Sequence, residues 1–340
     1  MSHEVETMAY ANEVPWHGLG QPVHDSMTPQ EMLVAAQLDW TVSKRPAYTV
    51  DKANLWNIVD PTGEANFMPV EKNFFVTRDS DNTILGHCGE NYTPFQNAEV
   101  MQFFDKFCKA GNMKMETAGS LKHGKDIWGL AKIKEGFTLA GGDEVKGYLL
   151  VNNSHAPGKA MQIMFSPIRV VCNNTLTMAL AGQGQRFRVL HLQMFDEQII
   201  QAAEEAMGLS SERLDEFQQA SKFLASRPAK WTQVEDYIGQ MFQPQTMIER
   251  AKAGNINLLP PLRDEFKRTA SKVLEAIECS PGSNLKSAKG TWWGVLNGVT
   301  YVMDHDLRSQ EKGNALHSSW FGSAANTKRK ALAKALEFAA

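Results

Sequence analysis

The chain has 340 residues, 43% of them hydrophobic and 21% charged, with a net charge of −3. That composition excludes disordered, collagenous and coiled-coil chains, and the length allows one large domain or two. No apolar run approaches the ~18 residues of a membrane helix. The first 25 residues carry Glu4, Glu6, Glu13 and Asp25 where a secretory signal needs an apolar core, which argues against such a signal.

In chain order, the stretch to Asp25 holds Pro15, Gly18, Gly20 and Pro22 and reads as an irregular arm. Thr28-Pro29-Gln30-Glu31 is a capping box with proline at the first helical position, and predicts a helix to about Leu38. Residues 41–50, 73–78 and 83–88 read as strands. Val100, Phe103, Phe104 and Phe107 recur at helical spacing over 97–109 and predict a helix with a core-facing side. Strands follow at about 113–118, 126–133, 145–152 and 160–166, separated by glycine-bearing turns. Residues 168–180 read as a strand turning into a short helix, and 186–192 as one more strand. From 196 onward the pattern is helical, with helices at about 196–225, 232–242, 262–278, 288–305 and 324–338. Strands first and helices later predict an α+β protein. Its twisted, mainly antiparallel sheet spans residues 1–192, and a helical region spans 193–340, packed on the sheet or separate from it.

Enzyme signatures are absent: there is no phosphate loop, no dinucleotide fingerprint, no H-E-x-x-H and no G-x-S-x-G. Cys88, Cys108, Cys172 and Cys279 form no C-x-x-C pair and read as reduced thiols in a cytoplasm. The sequence therefore nominates no catalytic residue, no metal site and no cofactor.

Charge is unevenly distributed. Residues 1–100 hold 5 basic and 14 acidic residues, whereas 101–190 hold 12 and 6. Arg169, Asn173 and Asn174 follow an apolar strand, where the amides can cap a helix or, with the arginine, contact phosphate. In 290–306, a stripe of Trp293, Asn297, Thr300 and Asp304 lies beside an apolar one at helical spacing. It needs hydrogen-bond partners and forms either a buried network or a site, with Tyr301 and His305 adjoining. Gly294 and Gly298, four apart, admit the close approach of another backbone. Lys328, Arg329 and Lys330 form a basic group. Were the helix to begin near Thr327, they would fall in its first turn, where they oppose the helix dipole and suit an anion.

Several of these segments together resemble one family. They are Pro15 to Gly20 (PWHGLG), Tyr92 to Asn97 (YTPFQN), Asn152-Asn153-Ser154-His155, Arg169 to Leu176 (RVVCNNTL), Trp293 with Asn297 to His305, and Trp320-Phe321-Gly322. The chain is similar to the phage/plasmid-like protein family of unknown function, found in bacteriophages, plasmids and prophages. The resemblance covers nearly the whole chain, and the motifs keep the family's order. After His155 many members continue Asp-Gly-Ser, where this chain has Ala156-Pro157-Gly158. The resemblance implies a mobile-element protein made in bacterial cytoplasm and brings no activity with it.

The leading expectation is a protein that binds and anneals single-stranded DNA, on the broad plan of phage annealing proteins, without nucleotide hydrolysis and as a homo-oligomer. Its backbone groove would use Lys122, Lys125, Lys132, Lys134, Lys159, Arg169, Arg186 and Arg188, with Asn173, Asn174, Lys328, Arg329 and Lys330 beside them. The alternative is a non-enzymatic protein whose acidic first hundred residues engage a host defence or restriction protein. A third reading, an enzyme, would rest on Asp304 and His305 with a further carboxylate.

Overall fold

A computed structural model describes residues 4–12, 18–50, 67–110, 113–169, 171, 174–175, 178–179, 187–189, 197–243, 264–305 and 315–340. The strands are β1 (Val5–Ala11), β2 (Gln21–Val23), β3 (Val42–Val50), β4 (Phe67–Arg78), β5 (Ile84–Gly89), β6 (Lys114–Leu121), β7 (Asp126–Leu139), β8 (Asp143–Ser154), β9 (Met161–Arg169), β10 (Asn174–Thr175), β11 (Met178–Ala179) and β12 (Phe187–Val189). The helices are α1 (Pro29–Ala35), α2 (Asn97–Ala110), α3 (Glu197–Ser226), α4 (Trp231–Phe242), α5 (Asp264–Cys279), α6 (Trp292–His305), α7 (Ala315–Phe321) and α8 (Ser323–Ala339). The protein is α+β.

The main sheet has the order β10-β9-β8-β7-β6-β1-β2, with β11 and β12 also paired to β9. Strands β6 to β9 form an antiparallel meander, as short turns between consecutive strands require. β1 and β2 correct the expected irregular arm: β1 pairs with β6 from Val5↔Leu121 to Tyr10↔Thr117, and β2 joins β1 in parallel. Val5, Met8, Ala9 and Ala11 are buried there, so the sheet claims a segment whose glycines and prolines mark only the loop beyond it. Residues 168–180 need a second correction. Asn174, Thr175, Met178 and Ala179 pair in one register with Arg169, Ile168, Phe165 and Met164. The described part of this stretch is a returning strand that covers the open edge of β9, not a helix.

A smaller sheet, β3-β4-β5, stands apart. It meets the main sheet at Gly86, where an added Cβ would lie 2.3 Å from Pro157 in the β8–β9 turn. At α1 the capping box is formed: Glu31 N–H donates to the Thr28 hydroxyl, and the Glu31 carboxylate accepts from the Thr28 N–H at 2.8 Å.

Alternation along the strands gives the sheet two different faces. One carries Ile127, Ala131, Leu149, Val151, Ile163 and Phe165 under the helices. The hydrophobic cluster there draws on Phe104 of α2, Phe217 of α3, Trp293 of α6 and Ala335 of α8. The expected boundary near 192 falls outside the described residues, and this cluster takes side chains from both sides of it. The other face carries Trp128, Leu130, Tyr148, Leu150 and Met164, with Leu316 and Trp320 of α7 packed on it. Among the described residues no helix is long and apolar enough to cross a membrane.

Gly298 lets α5 and α6 cross closely: a Cβ there would lie 2.5 Å from Ile277 Cγ1 and 3.0 Å from the Ile277 nitrogen. Gly294 likewise faces the Ala288 carbonyl oxygen, which a Cβ would approach to 2.1 Å. The spacing of these two glycines thus reports real close contacts. Gly298→Val is expected to cost about 1–3 kcal/mol through overpacking. Gly89→Ala, with open space around it, should change the urea midpoint little.

Candidate functional site

The residues that chemistry would use gather at three places, each around one buried carboxylate. The first is the end of the main sheet where the β6–β7 and β8–β9 turns meet. Lys122, His123 and Gly124 have consecutive positive φ angles of 55°, 57° and 80°. Two non-glycine residues in that region carry strain. The turn is pinned by Lys122 N–H to the Glu4 carbonyl (2.9 Å) and by His155 N–H to the Lys125 carbonyl (2.8 Å). A Cβ on Gly124 would lie 2.9 Å from Nη1 of Arg78, so glycine lets the turn close over that arginine. Arg78 in turn bridges Glu6 (2.9 Å) and Asp81 (2.6 Å).

Asp126, the first residue of β7, is buried between Lys122 Nζ (3.2 Å), Lys159 Nζ (3.2 Å) and His317 Nε2 of α7 (3.6 Å). Burial pushes its carboxyl up, but the Ser154 hydroxyl and the charges of Lys159 and Lys122 outweigh burial and hold it below the usual range. Burial pushes His317 down to about 4 despite Asp126, so its ring is uncharged near neutral pH. Lys125 and Lys159 are exposed and Lys122 half-buried, so the cations rim a buried anion. Lys132 and Lys146 lie on the same face of the sheet, towards its other end, in register with Tyr148 and Gly136.

On the opposite face of the same strand ends, the His155 Nε2–H donates to Asn97 Oδ1 at 2.8 Å, and Asn97 Nδ2 donates to the Leu38 carbonyl at 2.9 Å. Asn97 Oδ1 can only accept, which sets the histidine tautomer. Asn153, fully buried beside them, has no hydrogen-bond partner for either amide atom among the described residues.

The second carboxylate is Asp143 of β8. Arg169 of β9 grips it with Nε at 2.7 Å and Nη2 at 2.8 Å, Ser287 donates at 2.6 Å and Trp293 Nε1 at 2.9 Å. Arg169 Nη2 also donates to the Gly282 carbonyl at 3.0 Å. With 3% exposure, Arg169 is not a cation offered to a groove, which corrects its assignment to a nucleic-acid contact.

The third is Asp304. Lys328 Nζ lies 2.5 Å from it, Ser319 donates to it, and Lys328 also reaches Ser319 Oγ at 3.0 Å. Lys328 is fully buried, and burial pushes its pKa down against the pull of Asp304. α8 begins at Ser323 after Gly322, so the basic group lies beyond the first turn and faces inward in part. Lys330 donates to the Met241 carbonyl at 2.8 Å and closes the C-terminus of α4, and Arg329 donates to Asn326. The expectation of an anion site formed by Lys328, Arg329 and Lys330 is corrected accordingly. Within α6, Asn297 donates to the Trp293 carbonyl (2.8 Å), Thr300 to the Asn297 carbonyl (3.1 Å), and the Tyr301 and His305 rings lie 4.8 Å apart.

The structure therefore brings together Lys122, Lys125 and Lys159. Arg188 and Asn174 lie on β12 and β10 and Lys134 on β7, with side chains outside the description; Arg186 and Asn173 lie outside the described residues. Sequence reasoning missed Asp126, Asp143, His317, Ser287 and Ser319. An aspartate opening a strand carries no local signal of the cations it will meet. Among the described residues no group of His, Cys, Asp and Glu could hold a metal ion.

A family model described as a domain of unknown function, DUF932, matches residues 84–330. The chain belongs to that family. No curated protein and no solved structure matches it.

Asp143→Leu is expected to cost about 3–5 kcal/mol, because it leaves Arg169 buried without its counter-ion, whereas Ser287→Ala should cost nearer 1 kcal/mol. Urea denaturation distinguishes the two. His317, with a folded pKa below its unfolded value, leaves the unfolded chain holding more protons between about pH 4 and 6.5. Stability from this group is lost as pH falls through that window. Thermal melts of His317→Asn should show a shallower fall in Tm there than the parent chain.

Proposed function

We propose that the protein binds single-stranded nucleic acid across the sheet face that carries α7. The observation that supports this reading is the placement of cations at both ends of that one face. Lys122, Lys125 and Lys159 stand at the Asp126 end, and Lys132 and Lys146 towards the other. The two groups are about 20 Å apart, from six residues of extended strand. Such spacing lets one strand lie over both groups with several phosphates between them, and backbone contact needs no hydrolytic machinery. Asp126 keeps Lys122 and Lys159 ordered without a ligand, while Lys125 remains exposed for the polyanion. Strand annealing and a mobile-element role are the next steps of the same reading.

The test is fluorescence anisotropy with a labelled 40-nucleotide strand and its duplex over a salt series. Binding should favour the single strand and weaken with salt. Lys125→Glu with Lys159→Glu should lower affinity at least tenfold and reduce the salt slope by about 1.4, two single-strand phosphate contacts at ~0.7 each. An absence of binding at low salt overturns the reading.

A further inference from the structure

We propose that the pocket between β1, β2 and α1 receives one unstacked base of the bound single strand, with Gln37 and Gln21 reading its edge. The inference rests on the nucleic-acid binding proposed above and adds a base subsite to it.

The pocket exists because β1 is only half covered. β6 pairs along β1 from Val5, whereas β2 pairs with it only from Ala9 to Ala11. Val5 to Met8 face no described strand on that side, and a pocket of about 280 Å³ opens there, bounded by the start of β2 and the end of α1. Its size lies just under the ~300–1,000 Å³ of sites for drug-sized ligands, which suits one planar ring system.

The lining selects a neutral ligand with a polar edge. Met8, Leu19 and Ala35 supply apolar walls. Glu6 is the one charged residue in the lining, and its carboxylate is already matched by Arg78 at 2.9 and 3.1 Å and by the Ser120 hydroxyl at 3.2 Å. The pocket thus offers an ion no uncompensated charge. Gln21 of β2 and Gln37 at the end of α1 are exposed in the lining, and each amide presents both donors and an acceptor. Apolar walls with polar groups at the edge are how proteins hold an unstacked base, and a glutamine amide can pair with two positions of one base edge at once.

Gln37 is held there at a conformational cost. α1 ends in a turn where Gln37 N–H donates to the Val34 carbonyl and Leu38 N–H to the Leu33 carbonyl, both at 2.9 Å, with Gln37 at φ 56°. Glycine is the usual residue at this position, because a Cβ is strained in the left-handed region. A glutamine in that conformation on a pocket wall points to a use for its side chain.

The pocket also stands beside the cations. Val5 pairs with Leu121, and Lys122 N–H donates to the Glu4 carbonyl at 2.9 Å. The turn that carries Lys122 and Lys125 is therefore hydrogen-bonded to the residue just before the pocket wall, and Lys159 shares Asp126 with Lys122. A phosphate held by these lysines brings a neighbouring base within reach of the open edge of β1.

The test compares a labelled 40-nucleotide single strand with an abasic strand of the same length, by fluorescence anisotropy over a salt series. The parent chain should bind the base-bearing strand at least about fivefold tighter. Gln37→Gly, which relieves the strain at φ 56°, should melt no lower than the parent, lose that preference and keep the parent's salt slope. Gln21→Ala should reduce the preference in the same way. Lys125→Glu with Lys159→Glu should instead weaken binding of both strands and lower the slope, with the preference retained. Equal binding of the two strands by the parent, or a preference that survives in Gln37→Gly, overturns the base subsite and leaves phosphate binding standing. No binding of either strand at low salt overturns both.

Discussion

Asp143 must be neutralised where it lies, fully buried at the start of β8, and the joint between sheet and helices is built around that need. Arg169 supplies the charge from the neighbouring strand, Trp293 and Ser287 supply hydrogen bonds from α6 and the segment before it, and Gly282 uses the remaining guanidinium donor. Four parts of the chain thus meet at one carboxylate. A buried ion pair of this kind adds little net stability over a hydrophobic replacement, but it penalises any arrangement that separates the partners. The helix that carries Trp293 then presents Gly298 to α5 and Asp304 to Lys328 of α8, so the geometry set at Asp143 propagates through the helical layer.

Asp126 obeys the same electrostatic rule with a different outcome. Its partners are long side chains from two surface turns and a histidine from α7, and they leave the cations at the rim. At Asp143 the positive charge is consumed internally; at Asp126 more positive charge is assembled than the carboxylate cancels. That difference separates a carboxylate enclosed in the joint between sheet and helices from one whose cations reach solvent, beside the strained turn at Lys122 and His123.

Much of the fold was legible in local patterns. The capping box at Thr28, the helical phenylalanines of α2, the glycine-separated strands of the meander and the long helices after 196 all reflect interactions within a few residues, which spacing reports directly. The stripe on α6 was legible as a demand for partners, because three polar groups beside a core face must be paired. The identity of those partners was not, since Lys328 lies 24 positions from Asp304 and Arg169 lies 26 from Asp143. Lys328 and Arg169 read as surface cations in sequence because nothing local distinguishes a solvated lysine or arginine from one with a buried aspartate waiting for it.

β1 makes the same point for backbone. Its pairing with β6 joins residues more than a hundred positions apart, and no hairpin signal accompanies such a pairing. The sequence by itself determined the α+β class, the order of strands before helices and the close-packing glycines of α6, since each follows from periodicity, capping or the lack of a side chain. Only the tertiary structure decided which cations are buried and which remain at the surface, and which apolar strand residues lie in the core and which project on the β3–β4 ribbon. Burial and charge pairing are set by neighbours distant in the chain, and their energies depend on distances that spacing along the chain does not contain.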